Sequence, residues 1–272
     1  KAAVCPFNSW LPQAGVAPTP VTALLHAVAV VKSGAFAIMR LTFYCFGADF
    51  LRGTWAQYLV MGAVLVTILY GSSMALKETH LKRRLAYSTV SNLSYILFGV
   101  TVMTPAGFAA GICHMVFHAF MKICSFFCAG AVMHQSERHY IHQLDGFARQ
   151  MPKVFAVFTA ASFALMGVPG LCGFVSKWNL ADAAIASGNV MAYAGVGALL
   201  VSALLTAMYM LGIVVRAYFP KADFDYGTVA DVRDPNWMML APLLVFAVCI
   251  VGFGVCSVPF TELFAAVARG GF

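Results

Sequence analysis

Apolar residues fill long stretches of this chain, and those stretches have the length of a membrane crossing. A hydrocarbon slab ~30 Å thick takes ~20 apolar residues per helical crossing. Seven stretches reach that length, at approximately 19–45, 55–76, 85–103, 106–134, 153–183, 189–219 and 237–267, joined by short polar links. Residues 1–18 predict the tail of an eighth helix, broken by Pro6, Pro12 and Pro18 with Pro20 just beyond. The pattern predicts an all-α membrane protein: one polytopic bundle of transmembrane helices over 1–272, with no linker or low-complexity tract to divide it. The chain starts on Lys1 in what reads as a helix already under way, without a signal peptide. It therefore reads as the C-terminal part of a longer protein.

One stretch is interrupted near its middle. Gly167-Val168-Pro169-Gly170-Leu171-Cys172-Gly173 places a proline and three glycines at a depth where free backbone groups facing lipid are costly. Two readings remain open at this point, a simple proline kink or a discontinuous helix lining a cavity.

Composition narrows the class. Hydrophobic residues make up 61% and charged residues 10%, against roughly 45–50% and 25% for an ordinary soluble domain, which excludes a soluble enzyme. The net charge of +7 does not imply nucleic acid, because the basic residues form no patch interleaved with stacking aromatics. They mark topology. Lys77, Lys82, Arg83 and Arg84 fall in link 77–84, Arg138, Arg149 and Lys153 in or beside link 135–152, and Lys221 and Arg233 in link 220–236. The alternate links are nearly free of them, so the positive-inside rule puts these three on the cytoplasmic side of a cell inner membrane. All eight cysteines lie in or beside apolar stretches without a Cys-x-x-Cys pair, which reads as packing and assigns no metal.

The buried charge is basic. The acidic residues fall almost entirely in links or at helix ends, whereas His26, Lys32, His114, His118, Lys122 and Lys177 lie inside apolar stretches. Each costs at least ~2.5–3.5 kcal/mol at a helix centre, so each is a functional candidate by default. His114, His118 and Lys122 recur every four residues and form one stripe. His26 and Lys32, six apart, lie about 120° off a common face and are expected to meet different neighbours. Burial disfavours an ammonium ion and brings lysine towards histidine in proton affinity. A line of such groups, linked by water and by hydroxyls such as Ser125 and Ser176, can pass protons. Core histidines, snorkelling lysines and haem or metal ligation are the competing readings; His-x-x-x-His without an intervening Glu does not specify a metal site. Arg40, at a helix end, reads as an interfacial anchor.

Four ordered motifs carry a family resemblance. Trp10-Leu11-Pro12 followed by Ala17-Pro18-Thr19-Pro20-Val21-Thr22-Ala23-Leu24-Leu25-His26 resembles the signature WLPDA…APTPVSALLHA of antiporter-like subunits, with Gln13 in place of the acidic residue. Lys82 through Ser91 resembles KRxLAYSTxS, with Ser94 where Gly is usual; His114 through Lys122 resembles HxxxHAFFK; Gly167 through Lys177 resembles GxPxxxGFxSK. Such subunits occur in respiratory complex I (NADH:quinone oxidoreductase), Mrp-type cation/proton antiporters and energy-converting hydrogenases. The resemblance implies about fourteen helices in two inverted repeats, each with a discontinuous helix, of which this chain would hold the second. It implies proton-translocation roles for Lys1, His26, Lys32, His114, His118, Lys122 and Lys177, with Lys1 coupled to an upstream glutamate. It further implies a subunit that carries protons or sodium ions, binds no cofactor or metal and works beside other membrane subunits in the lipid bilayer. The rival from a different class is a membrane redox subunit using the histidines as cofactor ligands, which a visible absorption band would reveal.

Overall fold

The structure, a computed structural model, describes residues 1–270. Up to residue 18 the chain makes tight turns, a short helix α1 (Trp10–Gln13) and a turn of 3₁₀ helix (Ala14–Val16). Pro6, Pro12 and Pro18 keep this segment from forming one continuous helix. The stretch expected at 19–45 is also divided, into α2 (Thr19–Ala27), α3 (Val30–Arg40) and a π-helical run, Leu41–Phe46. Val28, at φ −127° and ψ −55°, interrupts the path, and the amides of Val28 and Ala29 both bond to the Leu24 carbonyl. The short α4 (Ala48–Leu51) leads to α5 (Trp55–Lys77), α6 (Leu81–Thr101) and α7 (Pro105–Ser136). After the small α8 (Phe147–Gln150) come α9 (Pro152–Met166), α10 (Cys172–Ala186), α11 (Val190–Tyr218), α12 (Trp237–Val255) and α13 (Ser257–Arg269).

Starts and stops of the long helices follow local chemistry. The side chains of Thr54, Thr104, Asn189 and Asn236 accept from backbone amides in the first turns of α5, α7, α11 and α12, the usual N-cap arrangement. The last predicted stretch, 237–267, is two helices rather than one. Pro259 has no N–H to offer the Val255 carbonyl and its ring would crowd it, so α12 ends at Val255 and α13 restarts at Ser257. Between α9 and α10 the chain turns through Gly167 (φ 95°) and Gly170 (φ 89°), a left-handed conformation that favours glycine. The interruption is thus a true break between two half-helices.

Five helical spans are long and apolar enough to cross a membrane by themselves: Thr19–Phe46, Trp55–Lys77, Pro105–Ser136, Val190–Tyr218 and Trp237–Val255. α6 is too polar to count by that measure because it is wrapped by protein. Only Lys82, Arg83 and Tyr87 among its residues escape burial. α7 is the spine of the bundle, packed against α2, α6, α9, α10, α12 and α13. Against α6 it approaches so closely that a Cβ on Gly99 would lie 2.7 Å from the Gly107 carbonyl oxygen, the small-residue contact typical of membrane helices.

The links 77–84, 135–152 and 220–236 gather at one end of the bundle. Leu81 N donates to His139 O and Ile141 N to Thr79 O, each at 3.0 Å, while Arg138 Nη2 reaches Thr228 O at 2.6 Å and Asp234 accepts from the amides of Lys153 and Val154. The half-helix pair is clamped where Gly173 meets Ala164: a Cβ at 173 would stand 1.8 Å from the Ala164 carbonyl oxygen. Gly173→Ala is therefore expected to force α9 and α10 apart and to lower stability in detergent by about 1–3 kcal/mol. Gly15→Ala, where a Cβ has nothing within 4 Å, should leave the melting temperature unchanged in the same thermal scan.

Candidate functional site

The site is built on α7. His114, His118 and Lys122 are each 0% exposed and Lys32 of α3 is 7% exposed, so the interior stripe is basic. Among the described residues no Asp or Glu is buried. The amines are held by neutral dipoles instead.

Lys32 Nζ lies 2.6 Å from His118 Nδ1. An ammonium there donates to Nδ1 and leaves the ring proton of a neutral His118 on Nε2; a neutral amine accepts from Nδ1–H instead. One contact thus serves both protonation states. His118 stacks on His114 at 5.7 Å between ring centroids, and His114 Nδ1 is 2.9 Å from Ser176 Oγ of α10. The Tyr95 ring of α6 lies 5.4 Å from the His114 ring, and the Lys177 ammonium lies 5.4 Å from the same Tyr95 ring. Lys177 donates to Leu165 O at 2.6 Å and Met166 O at 3.2 Å. Those are the last carbonyls of α9, freed by the turn at Gly167 and carrying the negative end of its dipole.

Lys122 departs from the stripe. Its Nζ turns to α6, donating to Ser88 Oγ at 2.6 Å and Leu85 O at 3.1 Å. His26 stacks on Phe126 of α7 at 5.3 Å. His26 and Lys32 therefore both address α7, contrary to the expectation that they meet different neighbours. The interruption at Val28 and Ala29 resets the helical phase between them, which a uniform 100° per residue cannot register. Ser125 is also displaced from its expected part, since its hydroxyl is spent on the Met121 carbonyl of its own helix at 2.8 Å. Lys1 is exposed and lies against Gly34 of α3. Arg40 is exposed at the C-terminus of α3.

Both ring nitrogens of His26, and Nε2 of His114 and of His118, are buried without a protein partner. Buried polar atoms of this kind are normally satisfied by ordered water. A crevice of about 410 Å³ opens at the α2/α3 interruption and reaches Lys32. A larger cavity of about 600 Å³ at the link end is lined by Thr19, Lys82, Gly130, His134 and His139. Beside it, burial and the neighbouring His139 push His80 below the ordinary imidazole range.

Sequence reasoning missed Ser88, Leu85 and Tyr95 as partners of the line. For Ser88 and Tyr95 a signal was available in the 4-3-4 spacing of Arg84, Ser88, Ser91 and Tyr95, a polar stripe on one helix face; the Leu85 partner is a backbone carbonyl and leaves none.

Broken half-helices, a central helix bearing a basic stripe and, among the described residues, no buried carboxylate define a membrane bundle of the antiporter-like class. Residues 1–206 match the family described as NADH:quinone oxidoreductase/Mrp antiporter, transmembrane. NADH-quinone oxidoreductase subunit L of Rickettsia conorii is 32% identical over 249 residues, covering 91% of this chain and 36% of that protein. The putative antiporter subunit mnhA2 of Staphylococcus aureus is 31% identical over 272 residues, covering 92% and 33%. Among solved structures, the Mrp complex from Dietzia sp. DQ12-45-1b superposes with a TM-score of 0.86 at 26% identity, over 99% of this chain and 57% of that one. Respiratory complex I from Thermus thermophilus with bound NADH shares the fold, with a TM-score of 0.84 at 21% identity over 99% and 55%. The chain belongs to the NADH:quinone oxidoreductase/Mrp antiporter family of integral membrane proteins, and it spans about a third of the length of the two curated relatives above.

The Lys32–His118 contact generates a test by itself. His118→Phe leaves a buried amine with no partner and is expected to cost about 2–3 kcal/mol of stability. Lys32→Met in the same chain should recover most of that loss. Denaturation of the two single variants and the double variant measures the coupling; additive effects would show that the contact carries no energy.

Proposed function

We propose that this chain is the proton-conducting part of an antiporter-like subunit, working within a multisubunit redox-driven ion pump or cation/proton antiporter. The observation that carries the reading is the buried basic line: Lys32 and His118 in direct contact, His114 stacked beside them, and Lys177 at the broken helix. In this reading Lys1, packed on the helix that carries Lys32, receives the signal from the preceding part of the protein. Lys32 and His118 exchange a proton, His26 and Lys122 extend the line towards the link end, and His114 passes charge to Lys177, which delivers it at the break. The end bearing links 77–84, 135–152 and 220–236 faces the cytoplasm.

The ion is a proton rather than sodium. A sodium ion is a hard cation best held by anionic oxygen, and among the described residues no carboxylate is buried; the hydroxyl and carbonyl oxygens beside Lys122 and Lys177 already accept from those amines. Neighbouring ammonium groups repel a second cation, whereas a proton moves by changing which of them is charged. The likeness to the Mrp complex and to the subunit L proteins supports the ion-carrying role.

Lys122→Met keeps most of the volume and removes the titrating group, so the protein should still assemble, while proton uptake into vesicles holding the complete complex falls at least about tenfold. Lys122→Arg should not rescue it, because arginine stays protonated. Lys221→Met, in an exposed link, should pump normally. Normal uptake by assembled Lys122→Met, or uptake that requires sodium, would overturn the reading.

A further inference from the structure

The link-end cavity of about 600 Å³ takes no part in the basic line. It opens where the starts of α2, α6 and α12 meet the end of α7, and its walls change chemistry with depth. His134 lies two residues before the end of α7 and Phe127 nine, so the cavity follows that helix inward for about 10 Å. Lys82, His134 and His139 stand at the outer end. Farther in, Phe127, Gly130 and Ala131 of α7 lie across from Pro242, five residues into α12. Phe127 packs on Phe246 of α12 at 5.9 Å between ring centroids, which sets the two helices side by side at that depth.

The inner part suits hydrocarbon. A confined water needs about two to four polar partners, and the side chains of those inner walls supply none. The outer part suits an anion. Lys82 Nζ donates to Ala17 O at 3.1 Å, and a lysine ammonium has further N–H groups to give. His134 and His139 are exposed, and even a neutral imidazole carries one N–H donor. Among the described residues no Asp or Glu lines the cavity. Of the acidic residues nearest in sequence, Glu78 is paired with Arg83 at 3.2 Å, and Glu137 ends α7 without lining the cavity.

We infer that this cavity is a binding site for an anionic phospholipid, with the phosphate on Lys82, His134 and His139 and an acyl chain along Phe127, Gly130 and Pro242. Both halves of the cavity are needed to select that occupant. A free anion would use the outer end and leave the apolar walls uncovered. A zwitterionic lipid would cover those walls but bring its own cation to a basic rim. An anionic phospholipid matches both, with its charge at the outer end and its hydrocarbon within. The volume lies in the ~300–1,000 Å³ range usual for small-molecule sites, and basic pockets between membrane helices on the cytoplasmic side take anionic headgroups. The positive-inside reading puts this end of the bundle on that side. The inference stands apart from the proton-carrier reading, because no residue of the basic line borders the cavity.

The experiment compares photoactivatable phosphatidylglycerol and phosphatidylcholine, each with a diazirine in the acyl chain, in nanodiscs holding the full-length protein in its complete assembly. Crosslinks are mapped by peptide mass spectrometry, and the exposed face of α5 at Leu59 and Val66 reports ordinary lipid contact. The phosphatidylglycerol probe should label residues 127–134 and 239–242 at least about fivefold more than the phosphatidylcholine probe, roughly what one basic group near the surface adds. Both probes should label α5 equally. Lys82→Met should remove most of the preference, and His139→Leu, in an exposed link, should weaken it. Met239→Trp fills the apolar part without touching the cations and should lower labelling by both probes. Lys221→Met removes a cation outside the cavity and should change nothing. Should Lys82→Met fail to assemble, His139→Leu decides. Equal labelling of the cavity by the two probes, or an unchanged preference in assembled Lys82→Met, overturns the inference. Loss of the crosslinks on adding inorganic phosphate would make the site one for a free anion and overturn it as well.

Discussion

Each buried cation in this bundle is held by neutral dipoles, and that constraint shapes the rest of the fold. A carboxylate partner would fix a lysine in its charged state; carbonyls, hydroxyls and imidazoles hold it without doing so. Dipoles of the backbone are most available where a helix gives them up. Lys177 takes the carbonyls that α9 releases at its break, and Arg84 takes those of Leu76 and Glu78 at the α5 end and that of Tyr209 within α11. Lys122 shares the Leu85 carbonyl with the α6 helix itself. Helix interruptions and buried amines are therefore two sides of one arrangement, since removing either leaves the other's polar groups unmatched in a medium without water.

The same constraint accounts for the polarity of α6. A helix carrying Ser88, Thr89, Ser91, Asn92 and Ser94 in succession could not face lipid, and it does not, being enclosed by α5, α7 and α11. Its polar atoms serve its neighbours on three sides: Ser91 to α5 and α11, Ser88 to Lys122 on α7, and the Tyr95 ring to His114 and Lys177.

Much of this was legible in the sequence because the signals were strong and local. Long apolar runs predicted a helical membrane bundle, a Gly- and Pro-rich string within one of them marked the discontinuous helix, and four-residue spacing placed His114, His118 and Lys122 on one face. What was not legible depended on local departures from ideal geometry. Spacing alone separated His26 from Lys32, because nothing in Val28-Ala29 announces a change of helical phase. Ser125 looked as available as Ser176, but only the fold decides which hydroxyl is consumed by its own backbone. The partners of Lys122 lie 34 to 37 positions away on α6; periodicity can show that α6 has a polar face but not that Lys122 meets it. Residues 237–267 read as one helix because hydropathy sees Pro259 as just another apolar position, whereas the missing amide ends α12 four residues earlier.

The length of α7 carries a consequence for the lipid around it. Its 32 residues make a rod about 48 Å long at ~1.5 Å per residue. Even tilted by ~40°, such a rod projects about 37 Å onto the normal, more than a hydrocarbon thickness of ~30 Å. At least one end of the spine therefore stands among the headgroups, and Met133 and His134 near its C-terminus border the link-end cavity. Because α7 is clasped by six other helices, its tilt cannot change without repacking them. Bilayer thickness thus becomes a mechanical load on the helix that carries the charge-bearing side chains, so the surrounding lipid sets how deep in the membrane His114, His118 and Lys122 sit.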